Sequence, residues 1–148
     1  MAKMSTYSFL DSILIITHPD LSSPIVLTGE GAGSVTVTMS ETRTVHEVAA
    51  DGAVMVSKVA GNQGTIAIDV QQTSNVHKKL LNLFNSLVIG KTDKWAQASI
   101  NIRNIADGAG HICNGVSPQI IPAKAYAKAG AHLTWTFMAA DIQNTTVN

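Results

Sequence analysis

Ser34-Val35-Thr36-Val37-Thr38-Met39-Ser40 alternates without a break. Val35, Val37 and Met39 fall on one side, and Ser34, Thr36, Thr38 and Ser40 on the other. A period of two belongs to a β-strand, whose successive side chains point to opposite faces. One apolar and one polar face marks an antiparallel sheet that packs on one side and meets water on the other. The same alternation recurs along the chain. Ile66, Ile68 and Val70 alternate with Thr65, Ala67, Asp69 and Gln71, and Ala98, Ile100 and Ile102 with Gln97, Ser99, Asn101 and Arg103. Leu133, Trp135 and Phe137 alternate with His132, Thr134, Thr136 and Met138.

Composition supports strands. Ile and Val total 27 against 9 Leu, with 14 Thr besides. Branched side chains are stiff at χ1 and suit a pleated surface. Ile25-Val26-Leu27 and Val54-Met55-Val56 read as short strands. An earlier strand over 7–17 places Tyr7, Phe9, Asp11, Ile13, Ile15 and Thr17 on one parity, a largely apolar face.

One segment changes period. Val76, Leu80, Leu83, Phe84 and Leu87 trace one face of a helix over about 74–87. Thr73 or Ser74 suits its N-cap. Residues 108–130 read as a short strand, a loop with Pro118 and Pro122, and then either a short helix or an extended arm. Helix propensity favours a helix in the Ala/Lys run, whereas the alternation of Lys124, Tyr126 and Lys128 with alanines fits a strand.

The expected fold is therefore mainly β: an antiparallel β-sandwich or small barrel with one flanking helix. The 148 residues form one domain, 1–148, large enough to bury a core. The longest polar insert between strong strands, residues 40–53 (SETRTVHEVAADGA), is expected to project as a loop.

Only 14% of residues are charged, and ten basic residues balance ten acidic ones. A soluble domain usually carries about 25% charge. Low charge fits both a neutral monomer and a surface covered by copies of the same chain. Zero net charge removes long-range repulsion between such copies. There is no basic footprint of a nucleic-acid binder. Lys78-Lys79 is the one adjacent basic pair and reads as a solvated helix face. No apolar run reaches the roughly 18 residues of a membrane span, and the first residues lack a signal-peptide core. A single cysteine, Cys113, permits no disulfide within the chain.

Motifs for chemistry are weak. Gly29-x-Gly31-x-Gly33 leads into the strand of Val35 to Met39, whereas a phosphate loop should open a helix; it reads as a turn. His18, His46, His77, His111 and His132 make no close metal-ligand pair. His111 and Cys113 are two apart, but no further ligand stands near them. Cys113 reads as a buried, inert thiol. Glu47 and Asp51 are four apart, yet they lie in the polar loop without a partner acid or base. No G-x-S-x-G elbow is present. These residues give no support for catalysis, a cofactor or a metal. Trp135 reads as core, and Trp95 as core or interface.

The order of features resembles the tail tube proteins of contractile-tailed bacteriophages over most of the chain. Its carriers are the strand Ser5-Thr6-Tyr7-Ser8-Phe9-Leu10-Asp11, the glycine-rich turn, the Thr/Val strand and the polar loop with Asp51-Gly52. Gly61-Asn62-Gln63-Gly64-Thr65-Ile66-Ala67-Ile68, the Ser/Asn-capped helix and the last strand ending in Ala139-Ala140-Asp141-Ile142 follow. The resemblance implies a structural subunit, related also to tube proteins of type VI secretion and bacteriocins. Six copies would join edge to edge into a ring, and rings would stack into a hollow virion tail tube that DNA traverses without specific binding. It implies sheath, baseplate and tail-terminator proteins as partners, no membrane, and assembly in the host bacterial cytoplasm. Stacking needs an element along the axis; Glu41, Arg43, Val45, Glu47 and Asp51 of residues 40–53 are the candidate inter-ring contacts. The alternative is a β-sandwich binding or virion decoration module. Against it, only four of seven aromatics are Trp or Tyr and no aromatic cluster for stacking sugars is evident.

Overall fold

The computed structural model describes residues 3–29, 31–106 and 108–146. Its order is β1 (Ser12–Thr17), β2 (Ile25–Leu27), β3 (Ala32–Met39), β4 (Thr44–Val48), β5 (Val54–Lys58), β6 (Gly64–Gln71), α1 (Asn75–Ile89), β7 (Ala98–Asn104), β8 (Gly110–Ile120) and β9 (His132–Thr145). Seven strands form one antiparallel sheet in the order β2-β1-β7-β8-β9-β6-β3. Among the described residues β4 and β5 pair only with each other.

α1 packs on both β2, at one edge of that order, and β6, one strand in from the other edge. A flat sheet could not bring both to one helix, so the sheet curls into a half-barrel around it. The expected barrel thus takes the form of a single curled sheet. Among the described residues no hydrogen bonds between β2 and β3 close the curl. A cavity of about 300 Å³ remains at that seam, with Leu14, Leu27 and Ile102 on one side and Val35 on the other.

The alternating residues meet inside. Ile66, Ile68, Val70, Ile100, Leu133, Trp135 and Phe137 are buried, as are Val76, Leu80, Leu83 and Leu87 of α1. Phe84 is half-buried and packs against Trp95 and Trp135. Ser74 is the N-cap; its hydroxyl accepts the Val76 N–H at 3.1 Å.

Two expectations need correction. The first strand starts at Ser12, and Phe9–Asp11 is a 3₁₀ turn capped by Ser8. Its core face is Leu14 and Ile16, while Ile13 and Ile15 are half-exposed and Tyr7 is 77% exposed. Both parities of 13–16 are apolar, so alternation could not decide between them, and one step of register exchanges the faces. The 108–130 region also differs. β8 is eleven residues long and includes Pro118, expected in a loop, while 121–131 takes the second of the two open alternatives, an extended arm without helix or strand. Pro122 and the glycine at 130 bracket too short a run for a helix with no apolar face to bury.

Gly115, at φ +63°, resets the pleat of β8. Cys113 and Val116, three apart, both face the core, as do their partners Ile142 and Ala139. A Cβ at Gly115 would lie 2.8 Å from the Ala140 Cβ.

Candidate assembly surfaces

The expected loop at 40–53 is the first half of a hairpin. Thr44↔Lys58, His46↔Val56 and Val48↔Val54 are opposite one another, as are Val45↔Ser57 and Glu47↔Met55. The turn explains why it forms. Gly52 adopts φ +88°, Ala49 and Ala53 are bonded across it at 2.8 Å, and the Asp51 Oδ1 accepts the Ala53 N–H at 3.0 Å. Asp-Gly between alternating strands is a hairpin signal. The segment is a paired ribbon where a loop was expected, because β-branched residues flank that turn on both sides.

The hairpin is an extension of β3 and β6. Ser40 N–H bonds to the Gln63 carbonyl at 3.0 Å, and Val59 N–H to the Arg43 carbonyl at 2.8 Å. Side chains tie its base: Gln63 donates to Glu41 at 2.6 Å, and Arg43 donates to Asn62. Beyond the base nearly every residue is exposed, including Val45, Val48, Val54, Met55 and Val56. An isolated two-stranded ribbon is marginal in water, and five exposed apolar side chains on one are a surface awaiting cover.

The candidate contact residues therefore separate. Glu41 and Arg43 are engaged at the base, and Asp51 closes the turn. Val45 and Glu47 share one face with Met55 and Ser57, since directly opposed residues point the same way. The other face carries His46, Val48, Val54 and Val56. That second face was missed; its signal was the alternation of 44–48, obscured by reading the segment as a loop.

The sheet leaves two edges. Among the described residues β3, eight residues long, pairs on one side only, with β6. β2, three residues long, pairs only with β1. An unpaired edge is a template for another chain. At the pole opposite the hairpin lies the arm 121–131. Gln72 anchors it: its backbone N–H and side-chain carbonyl bind Ala131, and its amide donates to the Ala125 carbonyl at 3.2 Å. Tyr126 is 86% exposed, with the Lys124 ammonium 5.5 Å above its ring.

The titratable groups singled out in the sequence lie in the framework. His77 is buried and accepts the Trp135 indole N–H at Nδ1. Burial, with the nearby Lys124 charge, pushes its pKa down. His18 Nδ1 accepts the Asp20 N–H at 3.0 Å, so its proton sits on Nε2, which bonds to the Lys94 carbonyl at 2.9 Å. Lys94 also pairs with Asp20 at 3.1 Å, clamping the turn after β1 to the turn before β7. Burial, then the Asp141 charge, raises the Cys113 thiol to about 11. His111 faces Asn144 at 2.6 Å. Lys78 and Lys79 are exposed on α1. Among the described residues no helix is long and apolar enough to cross a membrane.

The family described as Bacteriophage PhiTE tail tube protein matches residues 4–146. No curated protein matches the sequence. Among solved structures, the chain is similar to one in the baseplate of the anti-feeding prophage, 6-fold symmetrised, with TM-score 0.60 at 10% identity over 100% of this chain and 99% of that one. A chain of the sheath-tube complex of an extracellular contractile injection system (PVC) in its extended state gives 0.55 at 14% identity, over 90% and 88%. A chain from the tail of an empty GTA particle, refined with C6 symmetry, gives 0.55 at 12%, over 97% and 100%. At these identities the likenesses establish a shared fold.

Proposed function

The chain belongs to the bacteriophage PhiTE tail tube protein family, and from that premise we propose how this structural subunit of a tail tube assembles. Copies join side by side into a ring, rings stack into a hollow tube, and DNA passes through the lumen without specific binding. The carrying observation is the free outer edge of β3, continued by the exposed hairpin. A head-to-tail ring pairs that edge with the β2 side of the next copy, a heterologous contact that leaves no open edge once closed. Six copies per ring is the reading favoured by the C6 and 6-fold symmetry of the similar assemblies.

The hairpin is then the inter-ring element, with Val45 and Glu47 in contact, Asp51 shaping the tip, and Glu41 and Arg43 holding the base. Sheath, baseplate and terminator proteins are the expected partners, consistent with the assemblies in which similar chains sit. The single domain 1–148 does its work by packing, with no catalytic role, and assembles in the host cytoplasm.

Replacing residues 44–58 by Asn-Gly tests this. Arg43 and Val59 are already bonded, so a two-residue turn can close the shortened ribbon. The variant should keep its circular dichroism and thermal midpoint, and electron microscopy should show no tubes. Normal tubes would show that the hairpin does not join rings.

A further inference from the structure

We infer that the receiving surface for the hairpin is the basic arm 121–131 of a copy in the adjacent ring, a docking carried by opposite charge. The inference rests on the hairpin being the inter-ring element.

Topology places the two features at opposite poles. β6 begins at Gly64, where the hairpin leaves, and ends at Gln71, which pairs with His132 at the end of the arm. The seven steps between Gly64 and Gln71 span about 23 Å at about 3.3 Å per residue. A subunit stacked head to tail therefore brings one copy's hairpin to the next copy's arm.

Charge is complementary across that joint. The hairpin 44–58 carries Glu47 and Asp51 toward its tip and one cation, Lys58, at its base; the arm contains Lys124 and Lys128 and no acid. Lys78 and Lys79 lie exposed within the first five residues of α1, at the arm's pole. Net charge for the chain is zero, so this separation is an arrangement of charge and not an excess. Apolar surface matches too. The hairpin exposes Met55 and Val56, and the arm exposes Tyr126, an amphipathic ring suited to an interface.

A single exposed charge pair changes affinity only about two- to fivefold. Repetition in every subunit of a ring multiplies that into a strong selection for axial register.

The test is charge exchange in the full chain, with tubes measured by sedimentation and electron microscopy. Glu47→Lys with Asp51→Lys, or Lys124→Glu with Lys128→Glu, each sets like charges together at every joint. Each should lower sedimentable polymer about tenfold or more. The four changes combined restore opposite charges and should restore tubes. Lys124→Gln with Lys128→Gln, milder for folding, should give an intermediate loss; unchanged circular dichroism confirms folded subunits. Normal assembly of either reversed pair, or failure of the combined variant to recover, overturns the arm as the receiving surface. If tubes are lost when the hairpin is replaced but charge exchange has no effect, the hairpin reading stands and this inference alone fails.

Discussion

Trp135 donates its indole N–H to Nδ1 of His77 across 3.1 Å, in the buried seam between β9 and α1. The bond needs an unprotonated Nδ1. It locks the helix to the sheet at the point where Trp135 also meets Phe84 and Phe137, at ring-centroid distances of 6.4 and 6.2 Å. The helix is therefore held by a polar bond as well as by its apolar face.

Acid should loosen this seam. The folded pKa of His77 lies below the ordinary 6.5 of the unfolded chain. Between those two values the unfolded chain binds more protons, so stability rises with pH across that interval. The contribution is full above about 6.5 and is lost as pH falls through the folded value. Thermal midpoints from pH 7.5 to 5 should fall, and His77→Phe should flatten that part of the profile. Trp135→Phe leaves the ring nitrogen without its donor, at a cost of about 1–3 kcal/mol in denaturant unfolding at pH 7.5.

Gly64 marks where the sheet hands over to the hairpin. A Cβ there would lie 2.4 Å from the Thr38 carbonyl oxygen and 2.7 Å from the Ile142 Cδ1. Neither backbone nor a packed isoleucine can yield easily. Gly64→Ala should cost about 2 kcal/mol or more, read as a lower urea midpoint with an unchanged slope.

Much of this frame was legible in the sequence, and the reasons for the misses are physical. The strands with one apolar and one polar side, 65–71 and 132–138, carry their face in the pattern, and Ile66, Ile68, Leu133 and Trp135 are buried as expected. At 13–16 both sides are apolar, and only packing into a core built from residues distant in sequence selects Leu14 and Ile16. The family resemblance was carried by the order of strands, turns and helix, and the match over residues 4–146 agrees with it. The hairpin was half legible. Val54-Met55-Val56 read as a strand, but Thr44-Val45-His46-Glu47-Val48 was set aside for its polarity. A strand exposed on both faces has no apolar side to announce it. The arm was ambiguous for a related reason: it buries almost nothing, and burial is what makes periodicity readable.

Cys113 should be silent toward thiol reagents in the folded subunit. It is fully buried and its thiol is raised to about 11, so thiolate is scarce at pH 8. Labelling should follow global unfolding, rising with urea in step with the unfolded fraction. Rapid labelling in buffer would contradict the burial of the β8–β9 seam.

The hairpin should change most on assembly. In the free subunit 44–58 is an exposed ribbon bonded only to itself, so its amides should exchange within seconds to minutes, far faster than those of β6 and β9. In assembled tubes, covered by a neighbour, the same amides should be protected by about tenfold or more. Equal exchange in both states would place the hairpin outside the joint.

Electron microscopy of the purified full-length chain over a rising concentration series tests the central claim most directly. The account predicts rings and hollow filaments, six-fold in end-on view, with β3 of each copy continuing into the sheet of its neighbour. A chain that stays monomeric at every concentration, or rings in which the β3 edge faces solvent, would contradict it.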